Sequence, residues 1–106
     1  MSNIRMKWSD GARTLTASCT LGVMEAAANF EPAPAIVAAQ LSENMAHPSM
    51  VAAIVNTAIN DDEVTADSIV KADGYIALSA MAQRIYSECL RIDEEDASGK
   101  PAGAAE

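Results

Sequence analysis

Residues 4–8 read Ile-Arg-Met-Lys-Trp, with Ile4, Met6 and Trp8 at one parity and Arg5 and Lys7 at the other. Successive side chains of a strand point to opposite faces, so this alternation predicts a strand with one apolar face. A second alternating run, Arg13 to Ala17, follows Ser9-Asp10-Gly11-Ala12. Asp-Gly between two such runs predicts a hairpin over 4–17, because glycine accepts the positive φ that the turn needs. A lone hairpin is marginal in water, so its apolar face has to lie on other elements.

From Thr20 the period lengthens to that of a helix. Leu21, Met24, Ala27 and Ala28 recur at helical spacing behind Thr20 as a cap, and the segment 29–34, with Pro32 and Pro34, ends this element. Pro34 suits the first turn of a second helix, whose apolar positions are Ile36, Val37, Leu41 and Met45. His47-Pro48-Ser49 is the next break, with Ser49 as the expected cap. Behind it Val51, Ile54, Val55, Ala58 and Ile59 form the cleanest amphipathic stripe in the chain. After the polar turn Asn60–Glu63, Thr65 caps a short helix holding Ile69 and Val70, and Asp73-Gly74 is its stop or a bend. The last helix, about 75–92, has Leu78, Ala82, Ile85, Cys89 and Ile92 on one face.

The expected fold is therefore α+β: an N-terminal β-hairpin at 4–17 followed by four to five short-to-medium helices over 20–92, mostly helical, in a single compact domain, 1–92. Beyond it the run Asp93–Asp96 and the Ala-, Gly- and Ser-bearing remainder have nothing to bury, so 93–106 is expected to be a disordered acidic C-terminus.

Composition sharpens this picture. Half of the 106 residues are apolar in the broad count, but the aromatics are only Trp8, Phe30, Tyr75 and Tyr86. A core rich in alanine packs its elements closely and favours helix. The formal net charge of −8 repels polyphosphate, which excludes ordinary binding of nucleic acid or an anionic membrane surface. The hairpin holds Arg5, Lys7 and Arg13, so the remainder is more acidic still. The apolar stretch 50–59 is half of the ~20 residues a membrane span needs. The basic N-terminus lacks the apolar run of a secretory signal, and an intracellular, soluble protein is expected.

Candidate chemistry is sparse. Cys19 and Cys89 lie far apart, without a CxxC or a histidine cluster, and are expected to be buried thiols in a reducing compartment. A calcium loop starting at Asp61 would need glycine at its sixth place and glutamate at its twelfth, which here are Ala66 and Ala72. His47, the one histidine, stands beside Pro48 without a GxSxG-type nucleophile motif, and reads as a surface or cap residue. No catalytic residue, cofactor or metal ligand is expected, and the chain reads as a non-enzyme. Met24 and Met81 fit gaps in a core short of aromatics. Met45 and Met50 flank the His47-Pro48 break, where flexible thioethers suit a partner surface. With Phe30 and Tyr86 they are the candidate partner-binding residues.

A hairpin with Asp-Gly near its turn, then Thr20-Leu21-Gly22 opening a helix, resembles the start of the small tail assembly chaperone family of gene transfer agents and related prophages. Val64-Thr-Ala-Asp-Ser-Ile-Val-Lys-Ala-Asp-Gly74, running into an alanine-rich helix that ends Glu88-Cys-Leu90, is similar to the family's second half. The order of elements matches over roughly residues 4–92. Two features depart from the pattern: a single acid, Glu25, after the T-L-G segment, and the Pro32–Pro34 and His47–Pro48 breaks. The resemblance implies a non-enzymatic phage morphogenesis protein of the bacterial cytoplasm, with the tape measure protein and the tail-tube protein as partners. A homo-oligomer is compatible with it. An alternative reading, from charge alone, is a small acidic inhibitor of anti-defence or nucleic-acid-mimic type that blocks a basic protein surface.

Overall fold

The alternating segments pair as β1 (Asn3–Trp8) and β2 (Arg13–Ser18), an antiparallel hairpin in the computed structural model, which describes residues 3–9 and 11–90. The register sets Ile4 opposite Ala17 and Met6 opposite Leu15, and these four side chains and Trp8 are buried on one face. Arg5, Lys7, Thr14 and Thr16 occupy the other face, as the alternation requires. Gly11 closes the connection with φ of 84°, and its N–H donates to the Trp8 carbonyl at 3.2 Å. The Arg13 guanidinium lies 5.6 Å from the centroid of the Trp8 ring, capping the apolar face with a cation. Trp8 Nε1 finds no hydrogen-bond partner among the described residues.

The hairpin is followed, among the described residues, by five helices: α1 (Leu21–Ala28), α2 (Pro34–Ser42), α3 (Pro48–Ala58), α4 (Ala66–Asp73) and α5 (Tyr75–Leu90). Their starts follow local chemistry. Thr20 accepts the Val23 N–H at α1, and Pro34 and Pro48 occupy the first positions of α2 and α3, where no N–H is needed. At α4 the Thr65 hydroxyl accepts from Ser68 N–H while the Ser68 hydroxyl accepts from Thr65 N–H, a reciprocal cap. The expected Ser49 cap of α3 is corrected: Pro48 begins the helix, so the cap is His47, whose Nδ1 accepts the Ser49 N–H at 3.0 Å. Gly74, at φ of 92°, separates α4 from α5.

α3 is the central element, with Met50, Val51, Ile54, Val55 and Ala58 buried against α1 and α5. α5 contributes Leu78, Met81, Ala82, Ile85 and Tyr86 and also receives α2 and α4. The hairpin docks through two seams. Ser9 N–H donates to Asp73 Oδ2 at 2.7 Å, and the chain leaving α3 pairs briefly with β2, Asn60 N–H donating to the Thr16 carbonyl at 2.9 Å. One hydrophobic cluster runs through all seven elements.

Two helix faces differ from the expected ones. In α1 the buried residues are Val23 and Ala27, whereas Leu21 is 69 % exposed. In α2 the buried residues are Val37 and Leu41; Ile36 is exposed, and Met45 lies beyond the helix. The cause at α2 is a C-terminal cap. Asn44 adopts φ of 57°, Met45 N–H donates to the Gln40 carbonyl at 2.7 Å and Asn44 N–H to the Leu41 carbonyl, the two bonds of a Schellman ending. Of the expected last stripe, Ile92 and the acidic C-terminus 93–106 lie outside the described residues.

Candidate partner-binding surface

The bends on either side of α2 carry large apolar side chains into solvent. Phe30, in the α1–α2 connection, is 45 % exposed and stacks on the His47 ring, centroids 6.1 Å apart and planes 17° from parallel. His47 is fixed in turn as the cap of α3. Met45, two residues before it, is 71 % exposed. The Schellman ending explains this placement: it turns the chain out of α2 at Asn44 and leaves Met45 outside the stripe that Val37 and Leu41 bury.

The same bend is pinned to α5. Ser79, a buried polar residue, donates its hydroxyl to Asn44 Oδ1 at 2.9 Å. One turn earlier on α5 is Ile76, which is exposed. Between the N-terminal ends of α3, α4 and α5 runs a groove of about 250 Å³, lined by Pro48, Ala52, Ala66, Asp67, Val70, Tyr75 and Leu78. In the chain Met45 stands three residues before Pro48, and Ile76 directly after Tyr75. Pockets for drug-sized ligands run to about 300–1,000 Å³. At about 250 Å³ this groove has room for one large side chain.

Its electrostatics are weak. Asp67, the one carboxylate in the lining, pairs with Lys71 at 3.3 Å across one helical turn, and both side chains are exposed. Asp61, Asp62 and Glu63 are exposed on the α3–α4 connection, where Asp61 Oδ1 accepts the Glu63 N–H. This is an Asx-type turn, the solvated connection that the failed calcium template left. Among the described residues, no group of three His, Cys, Asp or Glu side chains is placed to hold a metal ion. No helix among them is long and apolar enough to cross a membrane.

The four candidate partner residues divide. Phe30 and Met45 are at the surface. Met50 and Tyr86 are each 2 % exposed and belong to the core, which corrects the expectation that they lie at the surface. Met50 is the third residue of α3 and turns inward with Val51 and Ile54; Tyr86 follows Ile85 on the buried side of α5. Burial, then the neighbouring Cys89, pushes the Tyr86 phenol above its ordinary range. The cysteines are also corrected. Cys19 and Cys89 are thiols, but each is half-buried, not fully enclosed.

Sequence reasoning missed Ile76 and read Ile36 as core. A signal existed for Ile76, which falls off the Leu78–Ala82–Ile85 stripe. None existed for Ile36, which adjoins Val37 in a helix apolar on most sides. Compared with protein-family models, with curated proteins and with solved structures, the chain matches none.

Proposed function

We propose that this protein is a non-enzymatic tail assembly chaperone of a phage or gene transfer agent. In the cytoplasm of the bacterial host it would cover apolar helical surface on the tape measure protein and release it as tail-tube subunits assemble. The observations that support this reading are the exposure of the large apolar residues Phe30, Met45 and Ile76 and the presence of an apolar groove between α3, α4 and α5. An amphipathic helix recognised in a groove offers large side chains at i, i+3, i+4 and i+7, and a groove for a single side chain flanked by further apolar contacts suits that spacing. A thioether beside a stacked ring adapts to varied partners, and few large anchors keep the contact releasable. The net charge of −8 adds colloidal repulsion between loaded complexes.

Co-expression with a tape measure protein tests this. The tape measure protein should gain soluble fraction and co-purify with the wild-type chain, and lose both with the double variant Phe30→Ser, Met45→Ser. No gain with the wild type sinks the proposal. The acidic turn Asp61–Glu63 and the overall charge favour a second reading, an inhibitor that occupies a basic protein surface. Binding to such a surface would collapse near ~0.5 M salt, where screening lengths fall to a few ångströms, and binding through Phe30 and Met45 would persist.

A further inference from the structure

The two cysteines, remote in sequence, meet in the fold. Cys19 lies in the connection between β2 and α1, and Cys89 in the last turns of α5. The Cys19 thiol donates to the Ile85 carbonyl at 3.4 Å. In an α-helix that carbonyl is the acceptor for the N–H of residue 89, so the Cys19 sulfur sits over the turn that carries Cys89. Cys89 is close enough to Cys19 and to the backbone of Thr20 for both to influence its thiol. Both side chains are half-buried.

We propose that Cys19 and Cys89 are a redox pair that closes to an intramolecular disulfide, stapling the β2–α1 connection to the end of α5. The oxidant is a low-molecular-weight disulfide such as oxidised glutathione. Burial, and then Cys19 beside it, push the Cys89 thiol up to about 12, so Cys89 keeps its proton, and the proposal places the first attack on Cys19. Cys19, as thiolate, displaces one glutathione thiolate and forms a mixed disulfide. Cys89 then loses its proton to solvent base and attacks the Cys19 sulfur, and the second glutathione leaves as thiolate. Two cysteine sulfurs are oxidised, and one glutathione disulfide is reduced to two thiols. The ring so closed encloses α1 to α4 and most of α5, and a long ring restricts the unfolded chain most. This inference is independent of the proposed function.

The test treats the reduced full chain with oxidised glutathione and follows intact mass, a tryptic map and thermal unfolding. The chain should lose the mass of two hydrogen atoms. The peptide from Thr14 to Lys71 should appear linked to the peptide from Ile85 to Arg91. The melting temperature should rise by about 10–20 °C and return on reduction. In Cys89→Ser the reaction should stop at one glutathione on Cys19. Two glutathione adducts on the wild type, disulfide-linked dimers, two thiols still open to alkylation, or a lower melting temperature would each overturn the proposal.

Discussion

Met45 and Met50 stand on either side of one bend, and the fold assigns them opposite roles. Met50 is 2 % exposed in the first turn of α3, whereas Met45 is 71 % exposed outside α2. Truncating Met50 to alanine withdraws the three side-chain atoms beyond Cβ from the core. The lost transfer term is about 2 kcal/mol for a buried side chain of this size. If the neighbours stay in place, a void of about 70 Å³ at about 24 cal/mol per Å³ adds about 1.7 kcal/mol. Partial collapse of the flexible surroundings lowers that second term. Met50→Ala should therefore cost about 2–4 kcal/mol, and Met45→Ala no more than about 0.5 kcal/mol. Urea unfolding followed by circular dichroism reads this as a midpoint drop of about 1–2 M for Met50→Ala, for a slope near 2 kcal/mol per M. The slope should not change. Equal losses for the two variants, or a larger loss for Met45→Ala, would refute the placement of the bend and with it the partner surface.

Three further outcomes follow from particular bonds. Asn44→Ala loses both an acceptor for the buried Ser79 hydroxyl and a residue tolerant of φ 57°, and should cost about 2 kcal/mol in urea unfolding; Asn44→Gly, which keeps the backbone conformation, should cost less. Equal losses would show that the backbone geometry is irrelevant there. Thr65→Ala removes half of the reciprocal cap and should cost about 1 kcal/mol, with faster amide exchange in the first turn of α4 than elsewhere. Alkaline titration gives the third. The folded Cys89 thiol is pushed up to about 12 from an ordinary 9.0, so between those values the folded chain holds the proton more tightly than the unfolded one. Its contribution is complete below pH 9.0 and is lost as pH rises toward about 12, and Tyr86, shifted in the same direction, adds to the fall. Cys89→Ala should flatten part of that slope; an unchanged slope would contradict the assigned burial.

The hairpin was legible because period two, Asp-Gly and the parity of Ile4, Met6 and Trp8 all agree. Thr20, Pro34, Pro48, Thr65 and Gly74 likewise mark helix ends by local chemistry that needs no tertiary information. Helix faces were harder to read wherever alanine dilutes the pattern. Leu21, Val23 and Met24 crowd one turn of α1 with alanines after them, so periodicity offers two faces, and only packing against α3 and α5 selects Val23 and Ala27. The expected α2 stripe runs past the helix end because Asn44 forms a left-handed cap, a role in which asparagine ranks next to glycine. The surface was half legible for the same reason, since extending α2 to Met45 hides the outward turn that separates Met45 from Met50. The meeting of Cys19 with Cys89 has no local signature at all, because it depends on how α1 sits on α5.

The central claim, as proposed above, is that the exposed Phe30 and Met45 help to hold an apolar helix. Calorimetric titration with a synthetic amphipathic helix from a tape measure protein tests it most directly, at low salt and again at high salt. Binding should persist in high salt, and Phe30→Ser and Met45→Ser should each weaken it about tenfold, or about 1.4 kcal/mol, without lowering the urea midpoint. Binding that vanishes with salt, or that neither substitution changes, would contradict the account.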